Sequence, residues 1–170
     1  MASKASIARH PIHPALVALP IGMWIFAFAC DVAYHAGAHA VFWKDAAFYA
    51  MVGGLVTALI AAVPGLIDYS TIVDRRVRRI GTFHLGLNLT VVALYAVNLW
   101  MRTRSVPEDT MPVWLSLGSL VLLSVSGWLG GELVFAHGMA VGPERTATTI
   151  DVAPGSPRTA ARADDVRRPA

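Results

Sequence analysis

The chain has 170 residues, of which 55% are apolar and 15% charged, and its formal net charge is +3. Because soluble domains contain about 25% charged residues, this composition excludes an ordinary soluble domain. The apolar residues are concentrated in four blocks of about 18 to 25 residues, each long enough to cross a hydrocarbon core of about 30 Å. These blocks are residues 14–34, 46–67, 84–101 and 113–136. We predict an all-α fold, an integral membrane four-helix bundle, within residues 1–141.

The basic residues are distributed unevenly around the four blocks. Eleven Lys and Arg residues lie before the first block, between the second and third, or after the fourth, and three lie in the other two connections. Cytoplasmic loops of membrane proteins carry the excess of Lys and Arg. Both termini and the middle connection are therefore predicted to be cytoplasmic. The same distribution explains the positive net charge, so we expect no nucleic-acid partner.

The first block opens with His10-Pro11-Ile12-His13-Pro14. Each proline disfavours the α conformation in the residue before it and suits the first turn of a helix, so both imidazoles are expected at the helix mouth. Pro20 and Pro64 lie near the same edge and are expected to kink their helices. Irregular backbone at membrane depth is tolerated only where protein or a wet cavity satisfies it. This end of the first span is therefore expected to face the bundle interior.

Cys30 is the single cysteine of the chain, so no intramolecular disulfide can form. Residues 27–30 have a weak likeness to a lipoprotein cleavage site. The apolar run before Cys30 is long for a signal peptide, and we predict an uncleaved first span.

A second metal site is conceivable in the outer connection. If the first helix continued, Asp31, His35 and His39 would share one face and could bind a metal. Gly37 argues against that continuation, so a solvated loop is the favoured interpretation.

Each of the other three spans carries a polar or small-residue face. In span two this face ends at Asp68; the faces in spans three and four are His84, Asn88, Tyr95 and Asn98, and Ser119, Ser126, Gly130 and His137. Such faces are expected to point toward neighbouring helices. Interhelical hydrogen bonding is the simple explanation for the two asparagines. Glu132 lies about 140° from His137 around the helix, and it could pair with an arginine, handle protons or reach the interface.

In this topology five imidazoles and carboxylates share the cytoplasmic edge, and they are His10, His13, Asp68, His84 and His137. These groups suit iron, copper or zinc, and facing histidines suit haem b. We predict a metal or haem site formed by these five residues, supported by Asn88, Tyr95 and Glu132. Asp68 or Asn88 could bond the second ring nitrogen of a ligating histidine. Electron transfer is the function that such a site favours.

Two other interpretations remain open. In the first, the histidines only hydrogen-bond, and the protein is a structural or partner-binding membrane module. In the second, the cluster handles protons or small solutes. An enzyme is a weaker alternative, because the sequence has no Cys-x-x-Cys, nucleotide loop or nucleophile elbow.

The motif at residues 10–14, Leu19-Pro20-Ile21-Gly22, the pair Asp68-Tyr69, His84, and residues 130–138 together resemble the bacterial membrane family named domain of unknown function 2231. The resemblance covers residues 8–142. It implies a four-span protein of the bacterial inner membrane, and brings no established activity. Some members are joined to Rieske iron–sulfur domains, which implies a redox setting and a redox protein partner. This chain lacks the cysteines for such a domain.

Residues 142–170 are rich in Pro, Ala, Thr, Arg and Asp and have few large apolar side chains. This composition predicts a disordered cytoplasmic tail.

Overall fold

The computed structural model describes residues 3–8, 10–38, 40–104, 106 and 108–139. Two short strands, β1 (Ser6–Ile7) and β2 (His10–Pro11), form an antiparallel pair at the start of the chain. The helices that follow are α1 (Ile12–Leu16), α2 (Ala18–Ala33), α3 (Val41–Ser70), α4 (Arg75–Arg102) and α5 (Met111–Phe135). Four segments are long and apolar enough to cross a membrane, with α1, α2 and a π-helical turn at Tyr34–Ala38 counted together as one. The predicted all-α membrane bundle is confirmed.

Proline chemistry interrupts the first span but not the second. Pro20 has no N–H to donate to the carbonyl of Leu16, and the helix is broken at Val17 between α1 and α2. In contrast, α3 continues through Pro64 without a break. The disturbance expected at Pro64 therefore does not divide its helix.

The helices are longer than the apolar blocks. The helix α4 starts nine residues before the predicted span, at Arg75, because Asp74 caps it. The Asp74 carboxylate accepts hydrogen bonds from the backbone N–H groups of Val77 and Arg76, at 3.0 and 2.7 Å. These two bonds hold the pKa of Asp74 below its usual value. The arginine-rich part of the connection between the second and third apolar blocks thus forms the first turns of a helix.

Most packing occurs within two antiparallel hairpins. The first hairpin, residues 12–70, packs α1 and α2 against α3, and the second hairpin, residues 75–135, packs α4 against α5. Contacts between the hairpins centre on a buried cluster that lies between them: Trp24, Ala27, Met51, Val91, Tyr95 and Leu123. Large apolar side chains such as Trp128 and Phe135 are exposed on the outside. An apolar exterior is what a lipid-facing surface requires.

The two hairpins repeat the same arrangement. Matching residues of the first and third spans are 71 positions apart: His13 and His84, Trp24 and Tyr95, Asp31 and Arg102 (84 − 13, 95 − 24, 102 − 31). Between α3 and α5 the separation is 65, and five of the six buried residues of α3 match a buried residue of α5 by this shift. The two residues of each matched pair lie against each other, so the three pairs mark an approximate two-fold axis along the bundle.

Candidate functional site

His13 is oriented by the neighbouring helix α3. Its Nδ1 lies 2.8 Å from the carbonyl oxygen of Ala61, and because a carbonyl only accepts, Nδ1 carries the proton. The ring packs directly on Gly65, where an added Cβ would come within 2.9 Å of the imidazole Cε1 and Nδ1. Among the described residues, Nε2 of His13 has no hydrogen-bond partner. Within that part of the chain, the lone pair of Nε2 is free.

His84 is held in the same way by α5. Its Nδ1 donates to the carbonyl oxygen of Ser126 at 2.8 Å, and the ring packs on Gly130, where an added Cβ would lie 3.0 Å from Cε1. The Ser126 hydroxyl lies 3.1 Å from the same nitrogen. Asn88 then donates from Nδ2 to the other ring nitrogen, Nε2, at 3.1 Å. His84 is therefore a neutral imidazole with its proton on Nδ1.

The two imidazoles face each other across the approximate two-fold axis. Their ring centroids are 6.4 Å apart, and the ring planes are nearly perpendicular, at 85°. In each case the ring proton is used by a backbone carbonyl, an arrangement that leaves the lone pair on Nε2, the position that ligates a metal in many proteins. In His84 this lone pair already accepts from Asn88. We call His13 and His84 the histidine pair, and the end of the bundle that holds them the histidine edge.

Asp68 lies at the histidine edge, but its oxygens are used by the start of the chain. They accept hydrogen bonds from the Ser3 hydroxyl at 2.9 and 2.8 Å and from the backbone N–H of Ala5 at 3.2 Å. The backbone N–H of Ile12 in turn donates to the Ala5 carbonyl at 3.0 Å. Asp68 thus anchors the N-terminal segment at this edge.

The remaining predicted ligands lie apart from the histidine pair. His10 is exposed in β2, and His137 follows the end of α5, where its Nδ1 donates to the carbonyl of Glu132 at 3.1 Å. The Glu132 side chain is exposed. Within the described part of the chain, no group of three or more His, Cys, Asp or Glu side chains could hold a metal ion. Of the five predicted ligands, the structure brings only His13 and His84 face to face.

The opposite end of the bundle, which we call the arginine edge, contains a buried ion pair that the sequence did not lead us to expect. Arg102 donates to both carboxylate oxygens of Asp31, with 2.8 Å between Nη1 and Oδ1. Its Nε also donates to Asn98 Oδ1 at 2.9 Å, and Asn98 donates to Ser116 Oγ at 2.9 Å. The available signal was two opposite charges at the same end of two apolar blocks, 71 residues apart.

The residues of the alternative outer metal site interact with different partners. Asp31 pairs with Arg102, whereas Nε2 of His35 lies 3.0 Å from the ammonium of Lys44. Gly37 has φ +109°, a left-handed value that interrupts the helical path within Tyr34–Ala38. His39 lies outside the described residues.

Between the two edges, the matched residues Trp24 and Tyr95 stack with their ring centroids 4.2 Å apart and their planes 8° apart. Both residues are buried, and in the described part of the chain Trp24 Nε1 and the Tyr95 hydroxyl have no hydrogen-bond partner. Tyr95 lies eleven residues beyond His84, about 16 Å along the helix. It is part of the bundle centre and not a neighbour of the histidine pair.

A family model described as "Predicted membrane protein (DUF2231)" matches residues 9–143. The chain belongs to this family. The DUF2231 assignment confirms the resemblance seen in the sequence motifs, and it agrees with the four candidate membrane spans. No curated protein and no solved structure matches the chain. The functional argument for this DUF2231 protein therefore depends on its own residues.

Proposed function

We propose that this integral membrane protein binds haem b through the histidine pair and serves electron transfer. The observation that carries the proposal is the separation of 6.4 Å between two perpendicular imidazoles whose Nδ1 protons are both used by backbone carbonyls. One histidine from each hairpin would thus supply one ligand to the haem iron.

The number of available ligands favours haem over a bare metal ion. A structural zinc site needs four protein ligands, and a catalytic one needs three. The histidine pair offers two, and Asp68 is used by Ser3 and Ala5. Haem brings four equatorial nitrogens of its own, so two axial histidines complete its coordination. When bound, it would supply one-electron chemistry, while the residues described here orient and hold it.

The location of the site follows from the uneven distribution of Lys and Arg. The first turns of α4 carry Arg75, Arg76, Arg78 and Arg79 at the histidine edge. By the positive-inside rule, this edge is the cytoplasmic one, in a bacterial inner membrane. Reporter fusions after Arg79 and after the last residue should both read cytoplasmic. A fusion after Ala40 should read external, and a cytoplasmic result there would contradict this orientation.

The deciding experiment is a spectrum of the full chain, purified in mild detergent and reconstituted with haemin. Wild-type protein should show a Soret band that shifts on reduction and about one iron per chain by elemental analysis. His13→Ala and His84→Ala should each lose the low-spin, six-coordinate spectrum, because each removes one axial ligand. His10→Ala and His137→Ala are matched controls and should keep it. Wild-type protein without a Soret band would contradict the proposal.

A second candidate is a structural role for the histidine pair, and it is favoured by the hydrogen bond from Asn88 to Nε2 of His84. With that bond, His84 is fully hydrogen-bonded without any cofactor and fastens α4 to α5. In this case His84→Ala should lower thermal stability by about 0.6–2 kcal/mol in haem-free protein. The haemin-treated wild type should then show only the spectrum of free haemin.

A further inference from the structure

A cavity lies between the two hairpins at the arginine edge, at the opposite end of the bundle from the histidine pair. Its volume is about 180 Å³, and its lining includes Lys44, Asp45 and Phe48 of the first hairpin and Arg102, Asp109 and Pro112 of the second. Two positive and two negative side chains therefore share this cavity with apolar ones. Asp45 is exposed, so the cavity can be reached from water.

Lys44 and Asp109 occupy matching positions in the two hairpins. The separation of 65 that relates α3 to α5 also relates these two residues (109 − 44). Their charges are opposite, as are those of the matched residues Asp31 and Arg102. Within the described residues, Asp31 and Arg102 form the only ion pair, whereas Lys44 and Asp109 line one cavity without pairing. The space between the hairpins thus holds a second set of opposite charges that do not neutralise each other by contact.

The two basic side chains keep donors that the described part of the chain does not use. The Lys44 ammonium lies 3.0 Å from Nε2 of His35, which occupies one of its three N–H groups. Arg102 donates three of its five N–H groups, to Asp31 and Asn98. Both side chains can therefore bind an anionic group in the cavity without giving up a bond that they already make.

The two carboxylates keep acceptor capacity in the same way. Oδ1 of Asp109 accepts from the backbone N–H of Met111 at 2.9 Å, and Oδ2 has no hydrogen-bond partner among the residues that the structure describes. Asp45 likewise has no side-chain hydrogen bond or ion pair with a described residue. Ionised carboxylates only accept, so each suits an N–H donor of a ligand.

We propose that this cavity binds a small zwitterion, whose anionic group is held by the two basic side chains and whose ammonium is held by the two carboxylates. The four charges of the lining sum to zero, so a ligand without net charge keeps the site neutral. A simple anion or cation would leave one pair of like charges without a counter-charge. The ammonium carries hydrogens, because the carboxylates need donors and Phe48 alone does not form an aromatic cage for a quaternary ammonium.

The volume limits the size of the ligand. A cavity of about 150 Å³ accepts benzene, with its six carbon atoms, so 180 Å³ holds about six to eight non-hydrogen atoms. β-Alanine and phosphoethanolamine fall in this range, and in both a two-carbon spacer separates the ammonium from the anionic group. The first represents a free zwitterion in water, and the second is the headgroup of a zwitterionic lipid.

The first test uses the full wild-type chain in mild detergent and ligand-observed nuclear magnetic resonance. β-Alanine should bind saturably, and phosphoethanolamine should compete with it. Propionate lacks the ammonium and ethylamine lacks the carboxylate, so each should bind about tenfold more weakly or worse, through the loss of charged hydrogen bonds. Propionate or ethylamine binding as tightly as β-alanine would overturn the proposal. Wild type that binds neither β-alanine nor phosphoethanolamine would also overturn it, and would leave the proposed haem site unaffected.

Variants of the lining provide the second test. Lys44→Met and Asp109→Asn each remove one lining charge and should weaken the binding of β-alanine about tenfold. Asp109→Asn keeps an oxygen for the backbone N–H of Met111. Arg104→Met and Glu108→Gln are matched controls, because they make the same changes of charge close by but outside the lining, and they should leave the Kd unchanged. Equal effects of the lining and control variants would overturn the proposal.

Nanodiscs separate the two sources of the zwitterion. If a lipid headgroup occupies the cavity, wild type should bind β-alanine more weakly in phosphatidylethanolamine nanodiscs than in phosphatidylglycerol nanodiscs. A site for a free zwitterion should have the same affinity in both. Either result supports the site and assigns its source, whereas an absence of β-alanine binding in phosphatidylglycerol nanodiscs would overturn the proposal.

Discussion

The first and second hairpins use one scaffold but supply different side chains to the axis between them. At the histidine edge they supply the same residue, at the centre two aromatic residues, and at the arginine edge opposite charges. Residues that meet on a two-fold axis face their own counterparts. Identical imidazoles suit a shared ligand between them, whereas Asp31 and Arg102 have only each other to neutralise.

The hairpins also begin differently. The second hairpin begins at the cap residue Asp74, whose side chain satisfies two backbone donors of α4. The first begins at Pro11, without a side-chain cap, and relies on the N-terminal segment that Asp68 holds. The start of the first helix is thus stabilised by an adjacent residue in the second hairpin and by contacts distant in sequence in the first.

The largest expected effect comes from breaking the complementarity at the arginine edge. Asp31→Ala should destabilise the protein by about 3–5 kcal/mol, because it leaves Arg102 buried without its partner. Replacing both residues, with Asp31→Leu and Arg102→Met together, should recover most of the loss. Thermal unfolding in detergent, followed by circular dichroism, measures both. If the double variant were as unstable as the single one, the pair would have another role than mutual neutralisation.

A matched test of the histidine edge uses the glycines on which the two imidazoles pack. Gly65→Leu and Gly130→Leu should each destabilise the bundle by about 1–3 kcal/mol through overpacking. Gly127→Leu is the control, since an added Cβ there meets nothing within 4 Å. The three variants share any gain in helix propensity, so their differences report the crowding. A Gly130 variant as stable as the Gly127 variant would contradict the packing of His84.

The central layer allows a test with the opposite sign. Tyr95→Phe removes a buried hydroxyl that has no partner in the described part of the chain, and it should raise stability by about 1 kcal/mol. Tyr49→Phe, on the exposed surface, should have little effect. A clear loss of stability in the Tyr95 variant would show that the Tyr95 hydroxyl is hydrogen-bonded. Trp24 and Tyr95 would then not have the same role in the packing of the bundle centre.

The smallest effect concerns the cap of the second hairpin. The folded-state pKa of Asp74 is depressed by the N–H groups of Val77 and Arg76, so its ionised form stabilises the fold above its unfolded pKa of about 3.9. This contribution is lost as the pH falls through the folded pKa. Asp74→Asn keeps an accepting oxygen but no charge, so wild type should be slightly more stable at pH 7, and the gap should close below pH 4. A gap that is independent of pH would contradict the charge term.

The fold was predictable because lipid imposes strict rules on length and polarity. The four apolar blocks gave four spans, and the inward polar faces of Tyr95, Asn98, Ser119 and Ser126 are buried as expected. Helix ends were less predictable. The charged start of α4 has no apolar pattern, and its helical state depends on the single side chain of Asp74.

The membrane depth of the site residues was predictable from the sequence, but their hydrogen-bond partners were not. Alternation of spans placed His13, Asp68 and His84 at one edge, whereas the N-terminal hydrogen bonds that use Asp68 come from residues without any distinctive pattern. The repeat of the hairpin separates matching residues by 71 positions between the first and third spans and by 65 between the second and fourth. Because these two separations differ, a sequence comparison at a single period does not detect the repeat. Without the duplication, Asp31 and Arg102 are two unrelated charges.

The orienting carbonyls determine when the site can exist during synthesis. His13 is made early, and Ala61 orients it once the second span is inserted, but His84 needs Ser126 of the fourth span. Residue 126 is translated 113 residues after residue 13, a delay of about 6–23 s at ordinary elongation rates. A cofactor held by both histidines would therefore load late in biogenesis, and a nascent chain halted after the third span would present two histidines of which only one is oriented.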